Sequence, residues 1–225
     1  MTEKLWGVLV ADVVGSSRTR GLRSMLGARL RLITSAHLKE KRIRLPYAVT
    51  AGDEFQTVAA DLRQIPGILF DLRRRMRPLQ LRIGIGIGRI PGPLRAPVNQ
   101  LGGQAFEFAR TAIGETKEGR LHAGKVTRFH SENKDFNLLA NLIYNLHDAL
   151  VGHLSEKQWR TVDAYLAKGR VDLAAKALRI NASTASRNLS RSHLWQTLEM
   201  MDSMENIIGS SFDKMHDSIK HKRIA

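Results

Sequence analysis

Three carboxylates lie at the ends of apolar segments, where they could bind a metal ion. Asp12 closes the continuous, β-branched run at 7–14, which predicts a buried strand. Asp53 and Glu54 lie in a tight, glycine-containing turn between two further apolar segments, which predicts a hairpin. Mg²⁺ on a nucleotide takes one or two protein carboxylates, with phosphate oxygens and water completing the octahedron. Acids that converge from neighbouring strands therefore indicate a magnesium site formed by Asp12, Asp53 and Glu54.

The segment Gly15-Ser16-Ser17 follows the first predicted strand and offers backbone N–H groups where a helix begins. Such groups bind phosphate oxygens, so these three residues are candidate nucleotide-binding residues. A purely structural role is the alternative for this segment and for the carboxylates. Aspartate and serine are common at strand ends and in turns, because their side chains hydrogen-bond the local backbone.

The surrounding periodicity predicts the elements that hold these residues. Helical spacing of apolar residues over 18–41 and 61–77 predicts two helices packed on a sheet. The second helix ends in the run Arg73-Arg74-Arg75-Met76-Arg77, which we interpret as a solvated face whose cations suit the helix dipole. A strand follows, and one of its faces consists of Gly84, Gly86 and Gly88. These glycines indicate that a helix, a partner subunit or a nucleotide approaches the strand closely.

Four segments resemble, in order along the chain, the signature segments of class III nucleotidyl cyclases. They are Val-Ala-Asp-Val-Val-Gly-Ser-Ser at 10–17, Ala-Gly-Asp-Glu-Phe at 51–55, Arg-Ile-Gly-Ile-Gly-Ile-Gly at 82–88 and Gly-Gly-Gln-Ala-Phe-Glu-Phe-Ala-Arg at 102–110. The hairpin also resembles the turn that names the GGDEF diguanylate cyclases, with Ala51 in place of the first glycine. Both families share a ferredoxin-like palm, so the resemblance implies an α+β fold with an antiparallel sheet. In cyclases the glycine strand borders the pocket, which favours a nucleotide or a dimer partner on that face.

Alignment through Gly102 shows which ligand contacts of the cyclases this chain retains. Arg110 falls where those enzymes keep an arginine on the phosphates, and Asn99 falls where they read the base. Phe106 replaces an asparagine that orients the ribose, and Val49 replaces a lysine that recognises the purine. The resemblance implies nucleotide binding through Asn99 and Arg110, with Arg110 as the catalytic contact if the domain is active. The two losses predict binding of nucleotide or Mg²⁺ without turnover.

Residues 171–189 have the pattern of a helix-turn-helix. Ala175 is small enough for two helices to cross closely, and Asn181 caps the second helix. The residues expected to face the major groove or the phosphates have short hydrogen-bonding side chains or a guanidinium group. They are Ser183, Thr184, Ser186, Arg187, Asn188 and Arg191. Together with the cyclase-like segments, this pattern resembles the SatD family, whose members join such a domain to a DNA-binding-like tail.

Two further helical stripes connect and follow these parts. An apolar stripe over 134–154 predicts a long helix that is either a lid on the sheet or a connector to the tail. Beyond the helix-turn-helix, a second stripe predicts dimerisation, since helix-turn-helix proteins commonly present two copies to DNA. It consists of Leu194, Leu198, Met201, Met204 and Ile208. The predicted organisation is a palm at 1–133, a linking helix at 134–154 and a helix-turn-helix domain with a C-terminal helix at 155–225.

Composition limits the remaining functional classes. The chain has no cysteine, so disulfides, thiolate metal sites and cysteine nucleophiles are excluded. Its net charge is +15, and residues 1–130 hold 23 Lys and Arg against 10 Asp and Glu. Such a field favours nucleotide phosphates or a nucleic-acid backbone, and it also serves solubility. No run is long enough for a membrane span and the start lacks a secretory pattern, so we expect a cytoplasmic protein.

These observations lead to the hypothesis of a transcriptional regulator. Its palm senses a nucleotide or Mg²⁺-nucleotide, and its tail binds double-stranded DNA as part of a homodimer. Two alternatives stay open. One is an active nucleotidyl or dinucleotide cyclase that makes product from ATP or GTP. The other is an adaptor whose tail binds protein and whose acids cap strands.

Overall fold

The computed structural model describes residues 4–18, 21–50, 52–95, 97–117 and 126–221. In these residues the chain forms a mixed α/β structure with one five-stranded sheet and eight α-helices. The strands are β1 (Leu5–Val13), β2 (Ala48–Val49), β3 (Phe55–Val58), β4 (Leu81–Arg89) and β5 (Thr127–Ser131). The helices are α1 (Leu22–Lys39), α2 (Ile65–Met76), α3 (Gln104–Glu115), α4 (Lys134–Val151), α5 (Glu156–Lys168), α6 (Val171–Leu178), α7 (Ala182–Arg191) and α8 (Leu194–His221). None of these helices combines the length and the apolarity that crossing a membrane requires.

β1 lies at the centre of the sheet, whose strand order is β2-β3-β1-β4-β5. The strands β1 to β4 pair antiparallel with their neighbours, whereas β5 pairs parallel with β4. The fully antiparallel sheet expected from the sequence is therefore wrong for this last pair. The reason is the connection, because α3 carries the chain back along the sheet and a parallel pair needs such a crossover.

The two faces of β1 belong to two apolar cores. Leu9, Ala11 and Val13 face the main core, to which α1 and α2 contribute. The opposite face carries Val8 and Val10, which pack with α3 in a second core. Successive side chains of a strand point to opposite faces, so this division follows from the pleat. Burial on both sides explains why the sequence of β1 is a continuous apolar run.

The glycine face of β4 is covered by α3. A Cβ atom placed on Gly86 would overlap the carbonyl oxygen of Ala105 and the backbone nitrogen of Ala109. One placed on Gly84 would likewise overlap the carbonyl oxygen of Ala109. Only glycine lets a helix backbone approach a strand this closely. The expectation that a nucleotide or a partner subunit lies on this face is therefore wrong, because a helix of the same chain occupies it.

α4 covers the edge of the sheet with asparagine side chains. Asn141 accepts a hydrogen bond from the Phe129 N–H at 2.8 Å and donates one to the Phe129 carbonyl oxygen at 3.1 Å. Asn137 donates to the Ser131 carbonyl oxygen at 2.8 Å. Four helix residues rise about 6.0 Å and two strand residues about 6.6 Å, so asparagines four apart match alternate residues of β5. These amides occupy backbone groups that would otherwise attract another strand.

The arginine run at the end of α2 joins the sheet to the C-terminal helices. Arg74 and Arg77 bind the Asp163 carboxylate of α5 at 3.0 and 2.6 Å. Arg73 binds Asp148 of α4 at 2.6 Å. The side chains of these three arginines are only 11 to 18% exposed. The interpretation of the run as a solvated face is therefore wrong, because it holds acids that come from other helices.

The apolar stripe of α8 packs within the chain. Leu194 lies in a small core with Trp159 of α5 and Leu189 of α7. Further along α8, Met204 and Ile208 reach the main core of the sheet. The stripe is thus explained without a second copy, so it no longer supports the predicted dimer. The dimer itself stays a prediction.

A buried polar network fixes α1 against α2. His37 is fully buried, and its Nε2 lies 3.3 Å from Asp71 Oδ2. Because a carboxylate only accepts, this nitrogen donates, and Nδ1 accepts from the Tyr47 hydroxyl at 3.1 Å. Burial by itself would raise the pKa of Asp71. Hydrogen bonds from His37 and Arg74, with the charges of Arg74 and Arg75, outweigh burial and hold that pKa well below its usual range.

We expect Gly86→Ala to destabilise the fold, because the new methyl group would force α3 away from β4. The free energy of unfolding, measured by urea denaturation, should fall by about 1–3 kcal/mol. Gly114→Ala is the matched control. Gly114 lies within α3 with open space around it, so alanine there should raise stability by about 0.5–1 kcal/mol. Equal stability of the wild type and Gly86→Ala would contradict the close packing.

We expect Asp71→Asn to lower the free energy of unfolding at pH 7 by about 3–5 kcal/mol, since it removes one partner of a buried ion-pair network. The depressed pKa makes the contribution of Asp71 complete above the ordinary value of 3.8, and it is lost as the pH falls below that value. Stability of the wild type should therefore drop more steeply below about pH 4 than that of Asp71→Asn. Parallel pH profiles, measured by chemical denaturation, would argue against this role. Asp172→Asn, in the exposed pair with Arg170, is the control and should change stability little.

Candidate functional site

Asp12 ends β1 and is buried with two cations beside it. Its side chain is 8% exposed, Lys117 Nζ lies 2.7 Å from Oδ2, and Arg82 Nη1 lies 3.8 Å from Oδ1. The Oδ1 atom is itself buried and accepts no hydrogen bond from the part of the chain that the structure describes. A buried carboxylate oxygen without a hydrogen bond is costly, so this atom suits a ligand, a water molecule or an ion.

Strand pairing explains why these charges meet. Asp12 and Arg82 are direct partners in the antiparallel pair of β1 and β4, and such partners lie on the same face of a sheet. That face is the one that α3 covers. Since α3 ends at Glu115, the turn behind it carries Lys117 to the end of the sheet where Asp12 lies.

The hairpin acids lie at the same end of the sheet. Asp53 Oδ2 accepts a hydrogen bond from the backbone N–H of Val13 at 3.2 Å, one residue from Asp12. Glu54 is held by the Thr50 hydroxyl, which donates to Oε1 at 2.7 Å. The structure thus places Asp53 next to the end of β1, with Glu54 in the same turn.

The chain leaves the sheet after Asp12 through the segment Gly15-Ser16-Ser17. Gly15 has φ 68°, and a single 3₁₀ turn follows at Ser16–Arg18. Gly15 and Ser17 are exposed and Ser16 is half-buried, so a ligand can reach this backbone. The long helix α1 begins only at Leu22, so the helical segment beside Asp12 is one turn long.

Asn99 and Arg110 lie on other elements. Asn99 is exposed in the 3₁₀ turn Val98–Gln100, and Arg110 is exposed on α3. The buried side of α3 is formed by other residues, among them Ala105 and Ala109. Among the described residues, neither Asn99 nor Arg110 forms a hydrogen bond or ion pair with Asp12 or Asp53, so the structure does not join the two sets.

The carboxylates fit a metal ion only if a ligand shares it. Within the described ranges, no three His, Asp or Glu side chains are grouped so that they could hold a metal ion. Mg²⁺ on a nucleotide needs fewer protein ligands, because phosphates and waters supply the rest. Asp12 Oδ1 suits that smaller role, and Asp53 lies at the end of the same strand, where its Oδ2 accepts from the Val13 N–H. Lys117 and Arg82 suit the phosphates themselves.

α6 and α7 form a compact pair joined by a tight turn. Arg179 occupies the turn with φ 56° and ψ 44°, a left-handed conformation in which glycine is more usual. The small residues Ala175 and Ala185 are buried, which allows the two helices to approach closely. Leu189 is also buried and lies in the small core that α5 and α8 complete.

The residues predicted to contact DNA divide into an exposed and a half-buried set. Exposed on α7 are Ser183, Ser186, Arg187 and Arg191, whereas Thr184 and Asn188 are half-buried. Asn188 Nδ2 donates to the Thr161 hydroxyl of α5 at 3.1 Å, so its amide holds α7 in place. Ser190, which sequence reasoning did not single out, is exposed on the same side of α7 as Ser186 and Arg187.

Lys117 and Arg82 are the site residues that sequence reasoning missed. Alternate residues of a strand share a face, so Arg82 lies on the same face of β4 as Gly84 and Gly86. Its contact with Asp12 depends on the register between β1 and β4, which the strand pattern alone does not specify. Lys117 carries no local signal, because its contact depends on how α3 crosses the sheet.

The fold and the site define a mixed α/β protein with a charged carboxylate site at one end of its sheet and four further helices at its C-terminal end. The sequence model of the SatD family matches residues 8–200. The chain therefore belongs to the SatD family. No curated protein matches it.

Solved structures resemble the chain only distantly. Two structures of a bacterial light-regulated adenylyl cyclase share 15% and 14% identity with it, cover 56% and 57% of this chain and 74% and 44% of their own, and each have a TM-score of 0.39. The regulator of polyketide synthase expression from Bifidobacterium adolescentis shares 12% identity over 91% of this chain and 82% of its own, with a TM-score of 0.28. Likenesses at these scores carry no argument about function.

Proposed function

We propose that this SatD-family protein is a transcriptional regulator that senses a nucleotide or Mg²⁺-nucleotide and binds double-stranded DNA as a homodimer. The sheet with α1 to α3 acts as a cyclase-like palm that binds the ligand. The pair α6 and α7 acts as a helix-turn-helix that binds DNA. The observation that carries the proposal is the meeting of Asp12, Lys117 and Arg82 at one end of the sheet, where a buried carboxylate oxygen accepts no hydrogen bond from any described residue.

The connectivity of the sheet supports the palm. The elements follow one another as β1-α1-β2-β3-α2-β4, and these four strands stand in the order β2-β3-β1-β4. This is the arrangement of a ferredoxin-like fold. The cyclase families that the sequence resembles use such a palm, and they too place an acid at the end of the first strand.

The charges at the site support a phosphate ligand. Lys117 is half-exposed, so its ammonium group can turn from Asp12 to a phosphate without moving the backbone. The turn at 15–17 follows Asp12 along the chain, and its exposed residues Gly15 and Ser17 can offer backbone N–H groups to the same phosphates. Once Lys117 has turned away, Asp12 and Asp53 are free to hold Mg²⁺ on the same phosphates. The site is suited to an anion with its metal.

The residues that would contact the rest of the nucleotide support binding without turnover. Phe106 is 1% exposed and lies in the second core, so it cannot orient a ribose. Val49 is an apolar residue on the short edge strand β2 and offers no donor to a purine. Asn99 and Arg110 are exposed and keep the chemistry to contact a base and phosphates.

The surface of α7 supports DNA binding. Its exposed side combines serine hydroxyls with the guanidinium groups of Arg187 and Arg191, and α7 contains no acidic residue. Hydroxyl and guanidinium groups are the donors that contact phosphates and base edges in the major groove. The buried Ala185 and Leu189 lie on the opposite side and attach α7 to the protein.

A continuous set of contacts links the two parts. Arg74 and Arg77 of α2 hold Asp163 of α5, and the Thr161 hydroxyl of the same helix accepts from Asn188 of α7. A ligand that shifts α2 would therefore move α5 and α7 with it. Such a shift regulates DNA binding only if the ligand binds the two arrangements with different affinity.

If α7 binds DNA, Arg187→Ala and Arg191→Ala should each weaken the binding of a duplex selected from a random library. The expected loss is about 1–3 kcal/mol for a base contact, and the salt dependence should become shallower by about one charge for a phosphate contact. Fluorescence anisotropy at several salt concentrations measures both quantities. Arg31→Ala is the matched control, because it removes the same charge from an exposed position on α1. If the wild type shows no salt-sensitive DNA affinity with or without nucleotide, the adaptor alternative is favoured.

The ligand-binding half predicts that ATP or GTP binds with Mg²⁺ and stabilises the fold by about 2.7 kcal/mol at a hundredfold excess over Kd. Asp12→Asn should remove the dependence on Mg²⁺, and Lys117→Ala should weaken nucleotide binding with or without the metal. Calorimetric titration measures both effects, and Glu199→Gln on the exposed side of α8 is the control. Formation of a cyclic product, followed by chromatography, would support the active cyclase instead. No binding of either nucleotide would remove the sensor from the proposal.

A further inference from the structure

α4 presents a row of leucines that no described residue covers. Leu138, Leu142, Leu146 and Leu150 follow one another at intervals of four and are 74, 55, 63 and 42% exposed. Leu139 lies beside the row and is 42% exposed. We call these five residues the leucine face. Contiguous exposed apolar surface of this kind marks an interaction site rather than ordinary surface.

The leucine face has the length of a protein interface. α4 contains 18 residues, so it is about 27 Å long. A standard interface buries about 800 Å² per partner, and a round patch of that area is about 30 Å across. The row also has a suitable shape, since side chains at intervals of four form the ridge that interdigitates in the commonest class of helix packing.

The row is complementary to itself. When two copies of α4 run antiparallel with their centres at position 144, Leu142 of one copy faces Leu146 of the other. Leu138 then faces Leu150. Asp135 near the start of α4 would lie near His153, just beyond its end, and both residues are exposed. The same arrangement sets the positive start of each helix dipole beside the negative end of the other.

Charge also favours a second copy at this face. The chain carries a net charge of +15, so two copies repel each other across most of their surface. Residues 135–156 contain no lysine or arginine, so two copies can approach at the leucine face with little repulsion between cations. A helix that lies on a membrane carries several lysines or arginines along its apolar side, whereas α4 has a single one, Lys134 at its first residue.

We propose that the leucine face of α4 binds the same face of a second copy in antiparallel orientation and forms the homodimer. The inference rests on the homodimer of the proposed function and is independent of its nucleotide and DNA ligands. It replaces the stripe of α8, which the main core already uses. The Asn137 and Asn141 amides lie on another side of α4, so the dimer leaves the cover of β5 intact.

Sedimentation of the full chain tests the proposal. The wild type should sediment as a dimer, with twice the chain mass of 25.2 kDa. The double variant Leu142→Glu with Leu146→Glu should sediment as a monomer. The double variant Leu32→Glu with Leu38→Glu is the control, because both leucines are exposed on α1, and it should remain dimeric. Circular dichroism checks that each variant is folded.

Two results would overturn the proposal. If the protein remains dimeric after the substitutions in α4, the homodimer is supported but the leucine face is not its interface. If the wild type sediments at the mass of one chain, both the homodimer and this interface are wrong. Binding of anionic vesicles by that monomer would then assign the leucine face to a membrane. DNA and nucleotide titrations of the same proteins keep the ligands of the proposed function separate from these outcomes.

Single cysteines test the orientation in a chain that has none of its own. Leu142→Cys mixed with Leu146→Cys should form a disulfide-linked dimer under mild oxidation. Leu138→Cys alone should not, because twelve residues of helix separate positions 138 and 150 by about 18 Å. Cross-linking of Leu138→Cys alone would indicate parallel pairing, in which position 138 faces itself, and would overturn the antiparallel arrangement.

Discussion

Direct contact between the backbone of α3 and the glycine face of β4 sets the geometry of the candidate site. Because Gly84 and Gly86 have no side chain, α3 lies against the sheet without a layer of side chains between them. Its far end then delivers Lys117 to Asp12, and the chain returns to pair β5 parallel with β4. A bulkier strand would lift the helix and remove the cation from the carboxylate.

Buried ion pairs perform a similar organising role between the sheet and the C-terminal helices. The arginines at the end of α2 take their acids from α4 and α5, as Arg73 does from Asp148 and Arg74 from Asp163. Burying such charges is costly unless they are paired, so the pairs specify one arrangement of the helices more than they add stability.

Local patterns predicted the elements well and their surroundings less well. The run at 7–14 corresponds to β1, and the helical spacing at 61–77 corresponds to α2. The glycines of β4 indicated a close approach, but glycine does not reveal whether a helix or a ligand approaches. The solvated face predicted for the arginine run is wrong for a related reason. The local sequence is the same whether a guanidinium group faces water or pairs with a carboxylate distant in the sequence.

Features that depend on neighbours along the chain could be predicted from the sequence alone. They are the apolar strand, the acid at its end, the hairpin turn and the two short helices near the C-terminus. The partners of Asp12, the occupant of the glycine face and the leucines of α4 that remain exposed emerged only in three dimensions. Each depends on strand register and helix crossing, which bring together residues distant in the sequence. Periodicity marks which side of an element is apolar, but long-range packing determines what that side meets.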